Sequence, residues 1–161
     1  MGDAKRGNVW LGVSGLVVDE NGRWLVVKKK YSGLKGKWSF PAGFVKNDET
    51  ADEAVMREVL EETGIDTSLN GLIGLRTGVI KGEISDNMLL FALSPLHTNI
   101  KIQHDELMDV QWMHPDALLQ DPNASVLLHK MAKEALRDTK QLTDGINPGD
   151  QFGYTAYKLF L

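Results

Sequence analysis

The sequence predicts a mixed α/β fold, of α+β or α/β class around a mixed sheet, and three observations predict it. β-rich runs recur along the chain, divided by tight-turn signals. One segment carries matching start and stop signals for a helix. Further helical patterns fall after the strands rather than in a separate block. The chain has 161 residues, the length of one domain, and the expectation is a single domain over 1–161. With 42% hydrophobic and 25% charged residues, the composition excludes a disordered chain, a collagen-like chain and a disulfide mini-protein.

Residues 9–18 and 23–29 are β-rich and flank Glu20-Asn21-Gly22. Asn-Gly between such runs predicts a hairpin, because both residues tolerate positive φ. Lys5 and Arg6 precede the first run, but Gly12, Ser14 and Gly15 interrupt it and no small-residue cleavage site follows. It therefore reads as a strand rather than a signal peptide. Residues 31–37 form a Gly/Lys loop, and Trp38-Ser39-Phe40 is a brief strand ended by Pro41. Thr50 and Glu53 form a capping box that opens a helix running to about Thr63, with Gly64 at its C′ position. Residues 72–80 and 87–93 read as strands around a Lys81-Gly82 turn, and 108–113 as another. Pro115 fits the first turn of a short helix over 116–119. A longer helix is expected over 124–137, with Val126, Leu127, Met131 and Leu136 as its buried stripe. Residues 145–149 are rich in turn formers. The tail over 152–161 alternates loosely, as an added strand or a partner-binding segment, with Tyr154 and Tyr157 suited to packing or association.

Charge narrows the chemistry. Lys plus Arg number 18 and Asp plus Glu 22, a net charge of −4. That balance disfavours general nucleic-acid binding, which relies on cationic contacts to phosphates. If the protein handles phosphates, a metal ion is the natural source of positive charge. There is no cysteine, so disulfides, thiol nucleophiles and thiolate zinc sites are excluded together. That absence fits a reducing, cytoplasmic setting. No run approaches the ~20 apolar residues of a membrane helix.

The first helix carries the informative cluster. On a helical wheel with Ala51 at zero, Glu58 falls at about 340°, Glu62 at about 20° and Glu61 at about 280°. Val55, Val59, Met56 and Leu60 fill the neighbouring arc, so the acidic edge is expected to border the buried face. Like charges at Glu58 and Glu62 cost about 0.2–0.5 kcal/mol. Acids in the last helical turn are disfavoured by about 0.3–1 kcal/mol each through the helix dipole. Arg57 relieves part of this through Glu61 or Glu53. A hard divalent cation such as Mg²⁺ or Mn²⁺ would convert the cost into a gain. The alternative is a solvated acidic edge.

The wider spacing shifts the weight between them. Gly43, five residues, Glu49, seven residues, then Arg57-Glu58-Val59-Leu60-Glu61-Glu62-Thr63-Gly64-Ile65 resembles the signature of the Nudix hydrolases, with every defined position met. The resemblance extends to Lys37–Gly43, where Ala42 stands in place of a more usual Gly, and to Asp105-Glu106 followed by Val110-Gln111-Trp112. It covers roughly residues 8–120.

The resemblance implies an α/β/α sandwich around a mixed sheet, with the motif as loop–helix–loop. It implies hydrolysis of a phosphoanhydride in a nucleoside diphosphate derivative by water attack at phosphorus, with Mg²⁺ or Mn²⁺ as cofactor. Glu58, Glu61 and Glu62 fall on metal-binding carboxylates, and Ala42 where a backbone carbonyl joins the metal shell. Arg57 and Glu49 fall on positions that orient these carboxylates or support the loop. Gly43 and Gly64 fall on positions of backbone geometry. Glu58 and Glu106 are the candidates for the general base. A non-catalytic nucleotide-binding module on the same fold is the alternative, although such a module would be expected to lose acids that are all present here. An isomerase on this scaffold is disfavoured because related enzymes use a cysteine.

Lys35 and Lys37 are candidates to reach a substrate phosphate, although the loop lacks the spacing of a P-loop. Trp38 and Phe40 fit core packing better than base stacking, and Asp86 has no assigned role. His97, His104, His114 and His129 are scattered without an H-E-x-x-H pair. The family's markers for ADP-ribose, NADH and coenzyme A substrates are absent, which tilts toward a small-molecule nucleotide. Capped RNA stays open but is not indicated by the charge. A homodimer is a further expectation of the resemblance.

Overall fold

A computed structural model describes residues 7–31, 33–134 and 138–161. Among the described residues, its strands form a mixed four-stranded sheet, an antiparallel three-stranded sheet and a short two-stranded one. The first is ordered β4-β1-β6-β5, from β1 (Val9–Val17), β4 (Ala42–Phe44), β5 (Thr67–Ile80) and β6 (Ile84–Pro95). Within it β1 and β6 run parallel and the other pairs antiparallel. The second is ordered β3-β2-β7, from β2 (Trp24–Lys29), β3 (Trp38–Ser39) and β7 (Leu107–Met113).

The period of two along each strand builds two cores. Leu25 and Val27 of β2 join Val13 and Val17 of β1 beneath helix α1 (Ala51–Thr63), with Val55 and Val59. The alternate residues Trp24 and Val26 join Leu16 on the opposite face, under α2 (Pro115–Gln120) and α3 (Val126–Lys133), through Leu118 and Leu128. The result is the expected α/β/α sandwich. Trp38 and Phe40 are buried in the second core, as packing residues.

The close approach of α1 to the sheet depends on Gly15. A Cβ there would meet Val59 at 3.1 Å, Val55 at 3.2 Å and Leu93 at 2.9 Å. At the helix start, the Glu53 carboxylate accepts from the Thr50 N–H (2.9 Å) and hydroxyl (2.7 Å). At its end, Gly64 takes φ +74° and donates to the Leu60 carbonyl, as a C′ glycine should.

Several expectations need correction. The turn before Arg23 forms, with Gly22 at φ +77°, but the expected hairpin does not extend. After the single bridge Val18–Trp24 the two strands part into different sheets. β1 already has β6 along its whole length on one edge and β4 on the other. β4 was hidden because Pro41-Ala42-Gly43 reads as a breaker. β5 and β6 are longer than expected, with bulges in β5 between Leu69 and Gly71 and between Leu72 and Gly74. α3 is shorter: Ser125 caps it, its hydroxyl accepting from the Leu128 N–H at 3.3 Å. Its stripe turns too, with Leu128 buried and Val126 86% exposed. Leu136 and Arg137 lie outside the described residues.

The tail does become a strand. β9 (Leu159–Phe160) pairs with β8 (Leu142–Thr143), and Phe160 packs edge-on against Phe91 at 5.5 Å. Lys158 Nζ reaches Asp52 Oδ2 at 2.8 Å and Thr50 Oγ1 at 3.1 Å, tying the tail to the start of α1.

Candidate active site

The last two turns of α1 and the strand β4 beneath them bring the motif residues together. Arg57 is the organising cation. Its Nε and Nη2 donate to Glu49 Oε2 and Oε1 at 2.9 and 2.6 Å, a two-pronged pair. Nη1 donates to Glu58 Oε1 at 2.8 Å and Glu61 Oε2 at 3.1 Å, and Nη2 also reaches the Phe44 carbonyl. The Glu61 contact is the expected i,i+4 pair, but the Glu49 clamp goes beyond it. Hydrogen bonds from Arg57 hold the Glu49 carboxyl far below its usual range, at about 2.

Glu58 lies directly over Gly43. A Cβ at Gly43 would meet the Glu58 carboxyl carbon at 2.1 Å, so this glycine serves by leaving space. Its φ is not among the positive ones. Ala42 likewise has no positive φ, so its replacement of glycine brings no backbone strain.

Glu62 differs from its neighbours. It is 3% exposed, inside the buried face of the helix rather than bordering it, which corrects the wheel. Leu60, expected on that face, is 44% exposed instead. The buried arc is rotated toward Ala54 and Glu62 because β1 and β4 pack there. Lys29 Nζ stands 3.8 Å from Glu62 Oε1, too far for a hydrogen bond. Among the described residues, the buried Oε2 has no hydrogen-bond partner. Burial pushes the carboxyl up to about 7, against the pull of Lys29 and the Ala42 backbone N–H, and with the repulsion of Glu58 and Glu106. Glu61 stands apart, with its side chain 54% exposed.

Glu106 is exposed at the end of the loop before β7. Its carbonyl accepts from the Lys30 N–H, which docks that loop beside β2, and its charge reaches Glu62. Among the described residues, no three His, Cys, Asp or Glu side chains stand as a ready metal cage. The chemistry of the donors nonetheless suits a hard divalent cation: carboxylate oxygens, one of them buried and unsatisfied.

A cleft of about 580 Å³ opens beside this cluster, within the size range of small-molecule sites. Lys29, Ala42 and Gly43 line one part of it, with Lys37 from the 31–37 loop. Lys35 does not line it. Trp10, Ser14, Phe44, Arg76, Asp86 and Met88 complete the sheet side, and residues 124–127 stand opposite. The backbone of residues 123–125 is held there by bonds to both polar groups of Trp38. Lys29 and Trp10 were missed in the sequence. The i,i+2 spacing of Trp10, Gly12 and Ser14 on one strand face was the available signal.

A family model described as NUDIX domain matches residues 10–134. Nudix hydrolase 2 of Arabidopsis thaliana is 29% identical over 152 residues, 92% of this chain and 52% of that protein. Nucleoside diphosphate-linked moiety X motif 6 of Xenopus laevis is 33% identical over 129 residues, 76% of this chain and 58% of that protein. The chain thus spans about half the length of these curated relatives. A MutT protein from Methanosarcina mazei Go1 shares the fold with a TM-score of 0.67 at 24% identity, over 78% of this chain and 91% of that one.

Proposed function

The chain belongs to the Nudix hydrolase family, and on that premise we propose that it hydrolyses a phosphoanhydride bond of a nucleoside diphosphate derivative by water attack at phosphorus. The observation that carries this is the buried oxygen of Glu62 that has no hydrogen-bond partner among the described residues, beside Glu58, whose carboxyl lies over the cleft-lining Gly43. A group held in that state costs stability unless a ligand uses it.

Glu58, Glu61, Glu62 and the Ala42 carbonyl are the residues to hold Mg²⁺ or Mn²⁺. When bound, such an ion neutralises phosphate oxygens and lowers the pKa of water. The chain supplies the rest. Arg57 and Glu49 fix the rotamers of the helix carboxylates, and Gly43 lets Glu58 lie against the strand. Lys29 and Lys37 offer positive charge to substrate phosphates along the cleft. Lys35, on the same loop, is the weaker candidate because it does not line the cleft. Proton removal from water falls to Glu58 or Glu106.

The test is a panel of nucleoside diphosphate derivatives and nucleoside triphosphates, assayed for phosphate-containing products with Mg²⁺ and with Mn²⁺. Metal-dependent turnover of at least one member is expected. Glu58→Gln and Glu106→Gln then identify the base: the variant that loses rate while keeping nucleotide affinity carries it. No turnover with either metal would sink the proposal.

A further inference from the structure

The cleft changes character along its length. Beside the carboxylates, Ser14 of β1 is in register with Ala42 of β4. Four residues earlier, Trp10 is in register with Asp86 of β6. At strand rise that separation is roughly 13 Å, the scale of a nucleoside with its phosphates. The far end is built from an aromatic ring and one charged pair. Phe44 braces Trp10 edge-on, with centroids 5.9 Å apart and planes at 84°. Arg76 Nη2 donates to Asp86 Oδ2 at 2.6 Å, and its Nη1 lies 3.8 Å from Met88 Sδ. Among the described residues, Asp86 Oδ1 has no hydrogen-bond donor.

With Oδ2 and Nη2 bonded to each other, the pair still offers the free Oδ1 and the second lone pair of Oδ2 as acceptors, followed by the remaining N–H protons of Nη2 and Nη1 as donors. Guanine presents the complement around two adjoining edges: the N2–H and N1–H donors on its Watson–Crick edge, then the O6 acceptor at the corner and N7 beyond it. No other common base sets two donors on adjacent atoms beside an acceptor pair. Adenine, cytosine and uracil would each leave part of the Asp86–Arg76 pair unanswered. Stacking on Trp10 would serve any base equally. Resting on the proposal that the cleft takes a nucleotide, we infer that Trp10, Arg76 and Asp86 form a base-reading subsite selective for guanine nucleotides.

Calorimetric titration of metal-free protein with GMP, IMP, AMP, CMP and UMP tests this without relying on turnover. GMP is expected to bind tightest, about tenfold better than IMP, which lacks only the N2 amine, in line with one added charged hydrogen bond. Asp86→Asn replaces an acceptor with a donor and should erase the GMP–IMP difference. Trp10→Ala should weaken all five by a similar factor. Equal binding of the five, or a GMP–IMP difference untouched by Asp86→Asn, would overturn the subsite. The matching triphosphates with Mg²⁺ separate the two proposals. Hydrolysis without base preference overturns guanine selectivity and leaves the hydrolase standing. Selective GMP binding, with no hydrolysis of these or of the nucleoside diphosphate panel by either metal, supports the subsite and overturns the hydrolase.

Discussion

Glu49 and Glu62 sit at the two ends of one motif and were given opposite environments. Glu49 is clamped by both prongs of Arg57 and by the Lys46 N–H, and its carboxyl is held at about 2. Glu62 is more deeply buried, has an ammonium only at 3.8 Å, and is pushed up to about 7. The same side chain is finished structure at one position and unfinished structure at the other. What separates them is how fully the chain supplies donors: a two-pronged guanidinium at Glu49, against one backbone N–H and a distant ammonium at Glu62. A buried carboxylate left short of donors, next to cleft-lining Lys29 and Ala42, fits a group kept for something from outside.

The contrast can be broken most forcefully at Glu62. Glu62→Gln should lower Mg²⁺-dependent turnover by about a thousandfold, equivalent to about 4 kcal/mol of barrier. Its thermal melt should be unchanged or raised at pH 8. A near-wild-type rate in the same assay would remove Glu62 from the site.

Next in size is the pH response of the metal-free protein. The folded-state value of Glu62 is about 7 against an ordinary 4.5. Its favourable contribution is therefore complete below about pH 4.5 and is lost as pH rises through 7, on the order of 3 kcal/mol. Urea unfolding in EDTA from pH 5 to 8 should show that slope in the wild type and not in Glu62→Gln. Added Mg²⁺ should stabilise the protein more at pH 8 than at pH 5. Glu49 has the reverse sign. Its contribution is present above about 4.5 and fades as pH falls toward its folded value of about 2.

Arg57→Lys sharpens the other side. It keeps the charge but cannot clamp Glu49 with two parallel bonds. A loss of about 2 kcal/mol is expected at pH 7, shrinking as Glu49 becomes protonated. Urea midpoints at pH 7 and pH 3 would measure both. The smallest effect belongs to Gly64→Ala, where φ is +74° and a Cβ would meet Lys101 at 2.7 Å. About 1 kcal/mol should be lost in a chemical melt, with Glu49 and Arg57 unaffected.

Much of this was legible in the sequence where local rules govern. The capping box, the Gly64 terminus and the motif spacing each depend on residues a few positions apart, and each appears as expected. What was not legible depended on partners distant in the chain. The Asn21-Gly22 turn specifies a reversal, but not which sheet each strand then joins. The wheel gave the carboxylates their angles, but only the packing of β1 and β4 decides that Glu62 faces inward and Leu60 outward. Asp86 became interpretable only once β6 placed it in register with Trp10 of β1 and within reach of Arg76.

One of the two glycines of β1, Gly15, has a long reach. Because Val55 and Val59 come within 3.2 Å of where a methyl on Gly15 would be, the altitude of the helix above the sheet depends on that missing carbon. The carboxylates ride on this support. A substitution at Gly15, which touches none of them, would lift them together and change the span between the helix acids and the strand carbonyl at Ala42. Fine adjustment of the carboxylate end can therefore originate on the sheet face that the helix covers.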